Sequence, residues 1–540
     1  MRPADKSKVL IEVISRVKER HLARAAASDE AYLDHLIHET IYFEDERVRT
    51  DRHTVKRDED RAWLAAIRRR FSHASELEKK RLLVDIVERH AHEIMGHFSE
   101  PVYELSTSVL PRGLGMILQP WSPLKLIRDF PNLPDVADRV VLQGEIERMR
   151  KLEKLGTLIL APTHQSNMDS PLIGYAIFRL GLPPFTYGAG LNLFEHRFLG
   201  FFMQRLGCYK VDRLKRHSLY KDVLKEYATV TIELGYHNLF FPGGTRSRSG
   251  AVEQKLKLGL MGSGIQAYHN NLKRKSAKPR VFIIPCTINY QLVLEAASLV
   301  EDYLKEAGKS RYIIMDDEFS MPTRIYSFLR NLVTLDERIY ITIGRAIDPF
   351  GNVVDDEGAS RDAHGREIDI EGYLKRRGEL VDDPDRNAQF TRLVGERVIE
   401  SFMADSMIFS THALAWTVFE RLRALCPDPD FYRFLRAAAY DITLPMGDLL
   451  DDLTKTLAGL RRMAARGAVR ISDTIAKSEP ERVAQRALGL FACYHTKPVL
   501  TRHGDRLFPT DMNLLYYYRN RLFGYGLERE VRFGASDGAA

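Results

Sequence analysis

The chain has only four cysteines in 540 residues, Cys208, Cys286, Cys426 and Cys493, too few and too scattered for the disulfide framework that staples small secreted domains. It has no run of about 18 uninterrupted apolar residues, which argues against a spanning helix. Its first residues are charged and helix-forming, where a secretory signal would place a short apolar core. These absences lead us to expect a reducing, cytosolic setting in which any membrane contact is peripheral. A large excess of one charge is missing too: 80 Lys and Arg face 73 Asp and Glu, a net charge of +7. That is too slight for a dedicated nucleic-acid binder, so no nucleic-acid partner is expected, although it suits an anionic bilayer surface or an anionic donor. No internal repeat is apparent. His90, His92 and His97 invite a zinc reading, but the last two are five residues apart rather than the four a helical site needs, so a helix end and no metal are expected.

What is present falls into three stretches. Residues 1–140 carry helical periodicity, as in the run Val9 to Ile14, with charged opposite faces. Over 141–375, apolar runs at Leu158, Leu239, Val281, Tyr312 and Ile339 alternate with helical segments, the pattern of an α/β domain with a central, mostly parallel sheet. Residues 348–365 are rich in turn-forming and charged residues and read as an exposed loop or an inserted excursion. Residues 376–540 read as mainly helical, with a small-residue end expected to fray. With 44% hydrophobic residues the chain can bury two or three domain cores.

The chemistry concentrates in two segments. Thr157 to Ala161 is short and apolar, bounded by Gly156 and Pro162, and predicts a buried strand; His164 follows it, and Ser170-Pro171 reads as a cap and first helical position. On one regular helix His164 and Asp169 would point about 140° apart, so a contact between them needs the intervening turn. The second segment, Phe240 to Gly250, follows another apolar run with Gly243, Gly244, Thr245, Arg246, Ser247 and Arg248. Arginine forks match phosphate oxygens, and glycines let backbone N–H groups approach the same anion. The Gly-Lys-Ser/Thr ending of a nucleotide loop is absent, which favours a phosphorylated substrate over a nucleotide.

In order, the His164-x4-Asp169 pair, Gly207 to Arg213, Phe241 to Arg248 and Ile283 to Ile288 resemble the four blocks of the glycerolipid acyltransferases, nearest to the glycerol-3-phosphate and dihydroxyacetone-phosphate acyltransferases. The likeness covers about residues 85–350; Glu93 to Pro101 is similar to the segment leading into that domain, and Tyr516 to Asn520 to a tail signature. The chain departs from the pattern at Gly243, where the family usually has a glutamate. The resemblance implies transfer of a fatty acyl group from acyl-CoA or acyl carrier protein to the sn-1 hydroxyl of glycerol 3-phosphate, giving lysophosphatidate for phospholipid synthesis. It implies no cofactor beyond that co-substrate, and a peripheral enzyme on the cytoplasmic face of the membrane. By the same likeness His164 is the general base, Asp169 its orienting partner, and Arg246 and Arg248, with Arg213 and Lys210, the phosphate clamp; Gly243, Gly244, Thr245 and Ser247 complete the anion loop. Dihydroxyacetone phosphate remains open as the acceptor, and a non-catalytic lipid- or phosphate-binding scaffold as another class. Cys208 and Cys286 lie in apolar stretches and are expected as small buried side chains. The apolar and basic stretch Leu193 to Leu206 suits lipid or an acyl chain as well as it suits an ordinary buried helix, and the basic run Lys273 to Arg280 suits a solvated loop.

Overall fold

A computed structural model describes residues 1, 3–27, 31–50, 54–108, 139–191, 201, 203–307, 338–426, 430–435, 442–493, 495 and 497–533. The apolar run at Tyr312 and much of Leu193 to Leu206 lie outside them.

Seven strands form the central sheet: β1 (Val140–Gly144), β2 (Thr157–Pro162), β3 (Thr186–Gly190), β4 (Cys208–Val211), β5 (Asn238–Leu239), β6 (Val281–Asn289) and β7 (Ile339–Ile343). Their order is β1-β7-β6-β2-β5-β3-β4, with β6 and β7 antiparallel and every other pair parallel. Every residue of β2 and β6 is buried. Their unalternating apolar sequences are what a strand covered on both faces requires. β1, β3 and β4 escape the sequence pattern because they are short and polar or glycine-bearing; β3 reads Thr186-Tyr-Gly-Ala-Gly190. Helices Ile146–Leu155, Asp169–Arg179, Ser218–Glu233 and Ser263–Lys273 connect the strands. The result is an α/β domain with helical N- and C-terminal regions.

Helices Pro3–Ala27, Tyr32–Thr50 and Glu76–Ile94 pack on the Ser218–Glu233 helix, with Thr54–Phe71 against the last two of them, and Val13, Ile37 and Leu82 share a core with Tyr209, Val223 and Tyr227. Under that core runs a polar network. Glu44 pairs with Arg47 at 2.7 Å, His217 Nε2 at 3.1 Å and Lys215 at 3.4 Å, and Lys215 reaches Glu93 at 2.5 Å. Burial pushes the Glu44 carboxyl up, but the His217 hydrogen bond and the Lys215 and Arg47 charges outweigh it and hold the group ionised. The network fixes the turn after β4. Gly96 is pressed against that strand as well, since a Cβ there would stand 2.6 Å from the Cys208 carbonyl oxygen.

The C-terminal helices, among them Ser410–Leu425, Met446–Ala465 and Met512–Arg519, join the sheet in one core through Trp416, Leu453, Leu515 and Tyr518. The stretch 348–365 corrects two expectations. It is anchored by the fully buried Phe350, and it does contain a repeat. Asp348, Asp355, Asp362 and Asp369 recur every seven residues, with Gly351, Gly358, Gly365 and Gly372 three places after each. The first three aspartates each accept two backbone N–H groups through Oδ1, from Phe350 and Asn352, from Glu357 and Ala359, and from His364 and Arg366. Turn chemistry rather than hydrophobic period carries this repeat, so a search for apolar periodicity misses it.

Candidate active site

β2 and β5 are neighbours and parallel, so the loops at their carboxyl ends emerge side by side, the usual place for a site in such a sheet. His164 stands in the first loop. Its Nδ1 lies 2.8 Å from Asp169 Oδ2, which also accepts from Gln165 N at 2.6 Å and Ser166 N at 2.9 Å; Tyr290 OH donates to Oδ1 at 2.5 Å. A fully buried carboxylate surrounded by donors can only accept, so Nδ1 carries the proton and Nε2 is left with its lone pair. Phe241 stacks on the imidazole with centroids 4.3 Å apart. The sequence placed the helix cap at Ser170; the helix instead begins at Asp169, because that side chain turns back to close the loop before it. Ser247 N donates to the His164 carbonyl at 2.8 Å and so ties the second loop to the first.

Glu295 is a second buried brace. It accepts from Ser166 Oγ at 2.8 Å and Asn167 N at 2.9 Å, and lies 3.5 Å from Arg246 Nη1. Arg213, carried past the end of β4, is lowered in pKa by burial and by the charge of Arg246. Two guanidiniums close enough to oppose one another make a place for an anion. The other two cations turn elsewhere. Arg248 pairs with Glu306 at 2.6 Å, an exposed contact of little energetic weight. Lys210 lies near His97, whose pKa is lowered by burial first and then by Lys6, Lys210 and Arg205. Thr245 is exposed, and Ser247 Oγ donates to the Ala251 carbonyl at 2.6 Å. The left-handed backbone, φ +75°, falls on Gly244 and not on Gly243.

Outside these loops, Glu44, His90 and His217 offer ligand atoms within 4.8 Å of one another. Lys215 Nζ, 3.4 Å from Glu44 and 3.3 Å from His90 Nδ1, already supplies the cation there. His217 Nδ1 also accepts the Tyr220 N–H, which leaves the proton on Nε2, so the trio does not fit a metal. Cys208 and Cys286 are buried, and burial pushes both thiols up, as inert side chains require.

A family model described as Acyltransferase matches residues 144–289, which include both loops and Arg213. Over these residues the chain is similar to acyltransferases. It is similar to proteins named glycerol-3-phosphate acyltransferase: 28% identical over 261 residues to that of Histophilus somni (strain 129Pt), covering 48% of this chain and 29% of that protein. It is 30% identical over 229 residues to that of Pseudomonas paraeruginosa (strain DSM 24068 / PA7), covering 42% and 24%. With that of Pseudomonas fluorescens (strain Pf0-1) the identity is 32% over 174 residues, covering 32% and 20%. The chain covers less than a third of the length of these relatives. Within residues 144–289, sequence reasoning missed Glu253, and beyond them Tyr290, Glu295 and Arg521. The first three meet the His164 loop and Arg521 meets Asn289 at the end of β6, each from far along the chain, and no local spacing announces them.

Proposed function

We propose that the protein transfers a fatty acyl group from an acyl-CoA or acyl carrier protein thioester to the sn-1 hydroxyl of glycerol 3-phosphate. The observation that carries the reading is the His164–Asp169 pair with the Arg246 guanidinium held near the same loop by Glu295. In this reading Nε2 takes the hydroxyl proton as the oxygen attacks the thioester carbonyl. The tetrahedral intermediate then expels the thiolate, which recovers the proton from the imidazolium held by Asp169. Arg213 and Arg246 hold the phosphate, with Gly243, Gly244, Thr245 and Ser247 shaping the loop and Arg248 and Lys210 at its margins. A positioned base contributes about a hundred- to ten-thousand-fold in rate, and the clamp acts by orientation. The product, lysophosphatidate, is a phospholipid precursor, and the enzyme works as a peripheral protein on the cytoplasmic membrane face. No helix among the described residues is long and apolar enough to cross a membrane.

The test is an acyl-transfer assay of purified protein with glycerol 3-phosphate and dihydroxyacetone phosphate, each with acyl-CoA and acyl carrier protein donors. Preferential transfer to glycerol 3-phosphate supports the reading. Preference for dihydroxyacetone phosphate reassigns the acceptor, and no transfer to either points to a binding scaffold.

A further inference from the structure

Glu253 lies beyond the glycine-arginine loop, and its side chain folds back beneath His164. Its Oε1 accepts the His164 backbone N–H at 2.6 Å. A Cβ built on Gly243 would stand 3.1 Å from both Oε1 and Cγ of Glu253, so the carboxyl fills the room that a side chain at 243 would need. Because the φ of Gly243 is not in the left-handed region, this neighbour, rather than backbone strain, is what calls for glycine. Oε2 is shut from solvent and has no hydrogen-bond partner among the described residues. Arg521, from the C-terminal helices, is buried too, and its charge offsets a small part of the rise that burial causes in the Glu253 pKa. Its Nη2 donates to Asn289 Oδ1 at 2.8 Å and Ser406 Oγ at 3.1 Å, while Nη1 has no partner among the described residues. Packing alone would be served at lower cost by an apolar side chain, since an incompletely paired buried carboxyl is expensive.

We propose that Glu253 is a positioning residue for acyl transfer: its carboxyl, seated over Gly243, fixes the backbone of His164 and so aims Nε2 at the acceptor hydroxyl. The kinetic part rests on the reading of His164 as the base.

The experiment compares the full chain with Glu253→Ala, Glu253→Gln and Glu253→Asp. It measures kcat, the glycerol 3-phosphate KM, the melting temperature and amide hydrogen exchange at His164. Glu253→Ala is expected to lower kcat by about ten- to a hundredfold, the scale of a small misplacement, with KM within about threefold, and to speed His164 exchange at least about tenfold. Glu253→Gln keeps the accepting oxygen and should recover kcat to at least about a third of the parent value. Glu253→Asp retracts the carboxyl by one carbon and should lose about tenfold in kcat while still folding, which keeps the test alive should the alanine variant fail to fold. In parallel, Gly243→Glu should lower the melting temperature in the parent and by less than half as much in Glu253→Ala, where the contested volume is empty. The idea is overturned by an alanine variant with parental kcat, by a loss confined to KM, by unchanged His164 exchange, or by Gln and Asp variants that behave alike. A parent that does not acylate glycerol 3-phosphate defeats the functional reading alone; the exchange rates and the paired melting temperatures then decide the place of Glu253.

Discussion

Replacing Asp169 by asparagine separates the two services of that carboxylate, its charge and its control of the His164 tautomer. Oδ2 faces three N–H donors, from His164 Nδ1, Gln165 and Ser166, while among the described residues Oδ1 faces only the Tyr290 hydroxyl. An asparagine therefore has one good orientation. Its oxygen takes the three-donor side, and its NH2 meets Tyr290, whose hydroxyl can rotate to accept; the opposite orientation sets an NH2 against three donors. The tautomer survives and only the charge is lost. A charge-assisted hydrogen bond is worth about 1.5–3 kcal/mol and a neutral one about 0.5–1.5, so the imidazolium loses about 1–1.5 kcal/mol of support. That corresponds to about tenfold in kcat. A wrong tautomer in a comparable triad costs about ten-thousandfold. Steady-state kcat of the variant, with the His164 ring nitrogens followed by NMR, distinguishes the two. A ten-thousandfold loss in a folded variant, or no loss at all, would refute the reasoning. Asp169→Ala instead strands four donors in the interior at about 1–3 kcal/mol each, enough to endanger folding.

His164→Ala should abolish transfer with the fold intact; activity within about tenfold of the parent in a folded variant removes the general-base assignment. Arg246→Ala should raise the glycerol 3-phosphate KM far more than the donor KM, and Arg246→Lys should not restore it, because a single ammonium cannot replace a two-pronged contact; an unchanged acceptor KM places the anion elsewhere. Burial raises the Glu253 pKa to about 7, above its ordinary carboxylate value. Its contribution to stability is then full below about pH 4.5 and is lost as pH rises through about 7, by at most about 3 kcal/mol. Glu253→Gln should flatten that slope in melting temperatures taken from pH 5 to 8, and parallel slopes would count against it. The protein should sediment with anionic liposomes at low salt and be released at high salt; failure to sediment favours an enzyme free in solution.

The architecture was legible where hydrophobic period is strong. The buried run after Gly156 is β2, and the apolar stretch at Val281 is β6. Both chemical loops were legible because the local order of residues, not distant contacts, defines them. Strands β1, β3 and β4 were not, since a strand such as Thr186–Gly190 has no apolar face to declare itself. The braces were hidden for a different reason: Tyr290 and Glu295 reach back 121 and 129 residues to the His164 loop, and Arg521 reaches 232 residues to Asn289. Only the assembled fold brings them together. The aspartate ladder at 348–372 was written plainly in the sequence, but in turn residues rather than apolar ones.

Gly250 has a left-handed φ of +82°, and a Cβ on it would stand 2.2 Å from the Tyr517 carbonyl oxygen, while Asn520 Nδ2 donates to the Ser249 carbonyl at 2.9 Å. The close fit of these two segments sets a clock on biosynthesis. On the ribosome the sheet and the His164 loop can form early, because domains fold as units from the N-terminal side. The glycine-arginine loop, however, gains its seat only once residues 517–521 have been made and docked. A nascent chain that has just completed Ser249 must therefore grow by some 270 further residues, the separation between Ser249 and Asn520, before this loop is seated.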